Sequence, residues 1–230
     1  MNIDAALRYL PIADAIMKNK IKEPILEVGS GTNGISDYYD GYVYGVDNDF
    51  SKTNTCKNPN IIHKKGTIFK IPFKKESFLK VVCLDTLEHI NKENRQNALN
   101  ELLRVTKKDG TLYLGFPSGF LSQQFETIIN KLFKIRHNKK DNPWLLEHKM
   151  YGLPGREEVS NYLKVSKVSS FKIVNNLNIF IWFLIHLFFT VLDEDRRILK
   201  ITSVFKKPIF LFGKFLNIPP FYRYIFIIKK

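Results

Sequence analysis

The stretch Glu27-Val28-Gly29-Ser30-Gly31-Thr32-Asn33-Gly34 carries the densest chemical information in the chain. Glycines directly after an apolar run let backbone approach a ligand closely, because no side chain blocks it. Gly29, Gly31 and Gly34 also satisfy the G-x-G-x-x-G spacing of a dinucleotide-binding turn, so the glycines alone decide little. Glu27 separates the readings: a carboxylate two residues before the first glycine suits a cationic ligand better than a pyrophosphate. Asp47 closes the run Tyr42-Val43-Tyr44-Gly45-Val46 and is placed to accept hydrogen bonds from ribose hydroxyls. Farther along, Asp85 follows another apolar run, and Glu147-His148 precede Tyr151-Gly152-Leu153-Pro154. Taking a proton from a hydroxyl is work for a histidine or a carboxylate. His148 is therefore a candidate base, with Glu147 or Tyr151 shaping its pocket; the alternative is an exposed loop histidine.

These residues need elements that bring them together. Pro24–Val28, Tyr42–Val46, Asn60–His63, Leu79–Leu84 and Thr111–Phe116 read as buried strands. Asn91 to Thr106 has helical spacing at Ala98, Leu99, Leu102, Leu103 and Val105. An amphipathic helix opens the chain from Ile3 to Met17, with Pro11 as a break or kink. Strands alternating with helices imply an α/β, Rossmann-like, doubly wound parallel sheet. The glycine turn should sit between the first strand and a following helix.

The later half is less regular. Residues 121–142 read as a basic helix plus a polar loop, Pro154-Gly155 opens a helix to about Lys164, and Val168–Val174 and Tyr222–Ile228 read as late strands. Ile179–Leu192 is apolar on every face except at His186 and Thr190. As a helix it would span about 21 Å, short of a hydrocarbon core of about 30 Å. A buried or membrane-interfacial helix is expected, inside an apolar insertion at 175–218.

The chain has 230 residues with a formal charge of +14, 44% apolar and 13% aromatic. That excludes disordered and collagen-like chains. Cys56 and Cys83 supply neither a disulfide framework nor a multi-cysteine zinc site. The N-terminus does not read as a secretory signal, and a reducing, cytoplasmic setting is expected. Charge is asymmetric: residues 1–120 carry net +3 and residues 121–230 net +11. The basic half should meet something anionic, whether lipid headgroups, nucleic acid or a phosphorylated substrate.

Glu27–Gly34, Gly45-Val46-Asp47, Ile71-Pro72-Phe73, Asp85-Thr86-Leu87-Glu88-His89 and Leu102–Gly110 resemble, in order and in register, the motifs of class I S-adenosylmethionine-dependent methyltransferases. The likeness covers residues 25–116 and is nearest to the branch acting on small molecules, quinones and lipids. It implies one domain over residues 1–230, with a cofactor-binding half at 1–120 and a substrate-side half at 121–230. It also implies a seven-stranded sheet whose last strand is antiparallel. The resemblance gives Gly29, Ser30 and Gly31 the floor beneath S-adenosyl-L-methionine, whose product is S-adenosyl-L-homocysteine. Glu27 then holds the methionine amino end and Asp47, with Asn48, the ribose. Asp85 lies near the transferring methyl. Thr67 stands where relatives place an aspartate beside the adenine, leaving backbone at Thr67-Ile68 to read that edge. No metal is implied. Glu88 and His89 read as anchors of the following helix, and Arg104 as a helix-to-sheet salt-bridge residue.

A looser likeness to methyltransferases of cell-surface glycan assembly, over Glu147–Pro154 and the closing Pro220-Phe-Tyr-Arg-Tyr, suggests an oxygen acceptor on a lipid-linked or glycan-type molecule. Ile179–Leu192 and Ile209–Ile218, with Lys206, Lys207, Lys214 and Arg223, would then rest on an anionic membrane face as a peripheral platform; a core-covering helix pair or a dimer interface is the alternative. Quinone or other small-molecule methylation, RNA methylation and a non-catalytic partner role in glycan assembly stay open. Nucleic acid ranks lower, because Phe180, Trp182, Phe183, Phe188 and Phe189 alternate with aliphatics rather than lysines.

Overall fold

The structure, a computed structural model, describes residues 3–18, 23–49, 58–138, 140–168, 170–192 and 218–230. Seven strands form one sheet: β1 (Ile25–Val28), β2 (Val43–Asp47), β3 (Ile61–Lys65), β4 (Phe78–Leu84), β5 (Thr106–Pro117), β6 (Ser170–Asn178) and β7 (Phe221–Lys229). Their spatial order is β3-β2-β1-β4-β5-β7-β6. β7 runs antiparallel to both neighbours while β1 to β5 pair in parallel. The expected Rossmann-like sheet with an antiparallel last strand is borne out.

Helices cover both faces. α2 (Lys92–Val105) buries Ala98, Leu99, Leu102, Leu103 and Val105, the stripe its spacing predicts, against Leu26, Val81 and Leu112. α1 (Ile3–Lys18) lays Ile12, Ala13 and Ile16 on the opposite face, against Ile25, Val82 and Tyr113. Neither a break nor a kink is needed at Pro11, and the helix runs on through it. Proline cannot donate to the carbonyl four residues earlier; that carbonyl, on Leu7, instead accepts from Asn176 Nδ2 of β6 at 3.2 Å.

Two local expectations change. The glycine turn leads into a single 3₁₀ turn, Gly34–Asp37, because Gly41 and β2 follow too soon for a longer helix. The Glu147-His148 stretch is not a loop but α4 (Pro143–Tyr151), with Pro143 in its first turn and Asn142 capping the Leu145 N–H. α3 (Phe120–Arg136) and α5 (Arg156–Val165) flank it in sequence.

The apolar block becomes α6 (Ile179–His186) and a π-helical continuation, Leu187–Leu192. Ile179, Trp182, His186 and Val191 are buried, whereas Phe180, Leu184, Phe188 and Leu192, at every fourth position, are 51–55% exposed. Among the described residues no helix is long and apolar enough to cross a membrane. The expected second apolar block up to residue 217, with Lys206, Lys207 and Lys214, lies outside the described residues, as does Cys56.

Candidate active site

The C-terminal ends of β1, β2 and β4 converge on a cavity of about 520 Å³ lined by Gly29, Asp47, Asn48, Thr67, Ile68 and Asp85, among others. This is where a parallel sheet gathers ligand-binding groups. The turn after β1 is left-handed at Gly29 (φ 78°) and Gly34 (φ 51°). A Cβ on Gly29 would collide with Thr86, and one on Gly34 with the Glu27 carboxylate. Both positions thus require glycine.

Asp47 ties the turn to β2: its Oδ2 accepts from Gly31 N–H at 2.8 Å and its Oδ1 from Asp49 N–H at 3.1 Å. Each oxygen keeps a second lone pair facing the cavity for a ribose hydroxyl. Ser30 departs from expectation. It is buried, and its hydroxyl packs against Gly45 rather than lining the cavity.

Glu27 is fully buried beneath the turn, where Oε2 accepts from Ile35 N–H at 2.8 Å and Oε1 has no hydrogen-bond partner. Burial pushes its carboxyl up to about 8. The Ile35 N–H and the Tyr9 hydroxyl favour the ionised carboxyl but only partly offset its burial. The cavity lining would suit S-adenosylmethionine, with Asp47 at the ribose and Thr67, Ile68 and Phe69 beside the adenine, while Glu27 lies buried behind the turn and lines neither cavity.

A second cavity of about 460 Å³ adjoins the first, and Asp85 and His89 line both. Aromatic rings (Phe133, Trp144, Trp182, Phe189) share its walls with charged and polar side chains, among them Arg8, Glu88, His148 and Arg223. Asp85, at φ 48°, does not offer a free carboxylate to either cavity. Arg223 Nε and Nη2 donate to its two oxygens at 2.7 and 2.6 Å, and Arg8 Nη1 donates to Oδ2 at 2.6 Å. Burial opposes its ionisation, but Arg223 and Arg8 outweigh that and hold it well below the usual carboxylate range. Such a group is a fixed negative charge and a poor base.

His148 is 3% exposed, not a loop residue at the surface. Its Nδ1 lies 3.0 Å from Glu126 Oε1, which also accepts from the Tyr222 hydroxyl at 2.6 Å. A carboxylate only accepts, so Nδ1 carries the proton and Nε2 keeps its lone pair. Nε2 is buried without a partner. Burial lowers the imidazole's proton affinity, but the hydrogen bond and charge of Glu126 lead a net rise above the usual histidine value. His89 repeats the pattern, its Nδ1 2.6 Å from Glu147 Oε2. Glu147 therefore serves His89 rather than His148.

Sequence reasoning missed Glu126, Arg8 and Arg95, and it put Arg223 on a membrane-facing platform, whereas the side chain is 1% exposed and bound to Asp85. Arg95, 1% exposed, donates to the Leu87 and Ile90 carbonyls, to Glu158, and to the carbonyls of Tyr151 and Gly152. It fixes the turn bearing Glu88 and His89 against the end of α4. Its place in α2, among Asn94, Gln96 and Asn97, gives no signal of burial. Arg104 pairs with Glu101 one turn back on α2 and donates to the Ile71 and Phe73 carbonyls, so its ion pair lies within the helix rather than running from helix to sheet.

Residues 26–114 match the family described as methyltransferase domain. No curated protein sequence matches the chain. Among solved structures, a methyltransferase of Thermotoga maritima, described as a possible histamine N-methyltransferase, shares 22% identity over 75% of each chain with a TM-score of 0.56. Phosphoethanolamine N-methyltransferase 2 of Haemonchus contortus, solved with S-adenosyl-L-methionine, shares 16% identity with a TM-score of 0.59. That match covers 95% of this chain and 52% of the other. The family match spans residues 26–114, and the likeness to these solved structures is one of fold: a seven-stranded sheet with a glycine turn after the first strand.

Proposed function

We propose that the protein transfers the methyl group of S-adenosylmethionine to a hydroxyl oxygen of a lipid-linked, glycan-type acceptor at an anionic membrane face. The observation that carries this reading is the Glu126–His148 pair, which leaves an unpartnered Nε2 at the second cavity. An amine acceptor that arrives neutral needs no such base; a hydroxyl does.

The cofactor supplies an electrophilic methyl on a sulfonium whose departure leaves a neutral thioether. The chain's residues align and dry the site around that displacement. His148 Nε2 takes the acceptor's proton as the hydroxyl oxygen bonds to the methyl carbon. The breaking carbon–sulfur bond returns its pair to sulfur, giving S-adenosylhomocysteine. Glu126 steadies the imidazolium that forms. Asp85, clamped by two arginines, holds Arg8 and Arg223 at the junction of the cavities.

The aromatic rings of the second cavity suit an apolar or sugar-bearing acceptor. The exposed stripe Phe180, Leu184, Phe188 and Leu192 lies on the segment whose Ile185 and Phe189 line that cavity. An apolar stripe beside the cavity mouth, on the more basic half of the chain, supports delivery from a lipid surface. Quinone and other small-molecule acceptors share the cavity chemistry but give the stripe no purpose.

The test is incubation with methyl-labelled S-adenosylmethionine and cell extract divided into lipid, soluble small-molecule, glycan and RNA fractions. Label in the lipid fraction, released by hydrolysis that frees its glycan, is expected. Label confined to RNA or to soluble small molecules would overturn the acceptor assignment. Cofactor binding with label nowhere would favour a non-catalytic partner role.

A further inference from the structure

We propose that Glu88, His89 and His148 together hold one divalent transition-metal cation where the two cavities meet. Among the described residues these three side chains bring a ligand atom each within 4.8 Å of one another. Ligands at roughly 2.0–2.2 Å from a shared ion lie about 3–4.4 Å apart, so side-chain rotation of about an ångström brings them to coordinating distance.

Three further observations point to a cation. Glu88 is 1% exposed, and neither of its oxygens has a hydrogen-bond partner. The buried Nε2 of His148 is also without one. A buried carboxylate beside an open imidazole nitrogen is costly unless something positive sits between them. Asp85, the neighbouring carboxylate, already has Arg8 and Arg223 as ion-pair partners. Finally, both imidazoles give Nδ1 to a carboxylate, His89 to Glu147 and His148 to Glu126. That outer arrangement fixes the tautomer and raises the basicity of the remaining nitrogen, and it is the usual support of metal-binding histidines.

Two imidazoles and one carboxylate suit zinc, manganese or iron(II) better than calcium or magnesium, which prefer oxygen. Three protein ligands leave coordination positions open toward the acceptor cavity. An acceptor hydroxyl bound there would lose its proton to water and present its oxygen as an anion to the methyl. In the loaded protein His148 Nε2 is a ligand; its role as proton acceptor belongs to the metal-free form. This chemical consequence rests on the methyl-transfer reading, whereas cation binding does not.

The experiment is equilibrium dialysis of tag-free, chelator-treated protein against ZnCl2 and MnCl2, with metal per chain read by mass spectrometry. The wild type should bind about one ion per chain, and Glu88→Gln and His89→Ala should bind none at the same concentration. Glu147→Gln should retain the site with about 10–100-fold weaker affinity. Thermal melts confirm that each variant is folded. No bound metal in the wild type, or undiminished binding in both ligand variants, overturns the site. Parallel labelling assays separate the two readings: one bound ion without methyl transfer supports the site and sinks the acceptor reading. Full transfer by protein that binds no metal does the reverse.

Discussion

Asp85 and Arg223, 138 residues apart in the chain, meet through two hydrogen bonds of 2.7 and 2.6 Å at the junction of the two cavities. Asp85 directly follows β4; Arg223 comes from β7, the strand antiparallel to both its neighbours. The late strands therefore do more than close the sheet: they deliver the cation that fixes the central carboxylate. With Arg8 on Oδ2 as well, removing the carboxylate leaves the buried Arg223 guanidinium with Asp4, 3.6 Å away, in place of its shorter ion pair.

Asp85→Asn should accordingly destabilise the protein by about 3–5 kcal/mol, the usual cost of stripping one partner from a buried ion pair. Urea unfolding checks this; a loss within about 0.5 kcal/mol, the range of ordinary surface substitutions, would contradict it. The sign of the pH dependence follows. Because the folded carboxyl is held below its ordinary value, its stabilisation is present above that value and is lost as pH falls toward the folded one.

Glu27 makes the opposite prediction. Its carboxyl, raised from 4.5 to about 8, is mostly protonated at pH 7 in the cofactor-free protein. Ionising it costs stability, so its contribution declines as pH rises from 4.5 through about 8. A cofactor ammonium held near Glu27, as the resemblance implies, should expel the proton. Titration calorimetry of S-adenosylmethionine at pH 7 in buffers of different ionisation heat should show net proton release, abolished in Glu27→Gln. Identical heats in all buffers for the wild type would refute it.

Glu126→Gln is the informative change beside His148. The amide keeps the shape but removes the charge that lifts the imidazole. In metal-free enzyme the rising limb of kcat against pH should move to lower pH, with kcat reduced about 10–100-fold through the tautomer lost. A structural role alone would leave the limb where it is.

The exposed stripe yields a separate test. Phe180→Asp with Phe188→Asp should abolish co-sedimentation with anionic vesicles at low salt while leaving the melting temperature and cofactor affinity near wild type. Wild-type protein that never sediments with such vesicles would remove the membrane from the account.

The sheet was legible because β1, β2 and β4 are buried on both faces and so read as continuous apolar runs between glycine turns. The cofactor cavity was legible for a related reason: turn chemistry is local, and Gly29, Asp47 and Asp85 each sit at a strand end. The acceptor side was not. His148 stands out as a residue type, but its partner Glu126 lies on another helix, 22 positions away, inside a run that reads as merely basic. Arg8, Arg95 and Arg223 look like surface cations until tertiary contacts bury them. Glu88 reads as a helix anchor, and only the convergence of α4 on its turn reveals a buried carboxyl beside two imidazoles. Sequence periodicity reports which face of an element is buried, not which buried charges meet.

The most direct test of methyl transfer through His148 compares wild type with His148→Ala and His148→Gln, using methyl-labelled S-adenosylmethionine and lipid extract, alongside calorimetric cofactor affinity. Both variants should bind cofactor as the wild type does, because the His148 side chain lines the acceptor cavity and not the cofactor cavity. Transfer should fall about 10²–10⁴-fold. Undiminished labelling in both variants would contradict the central claim.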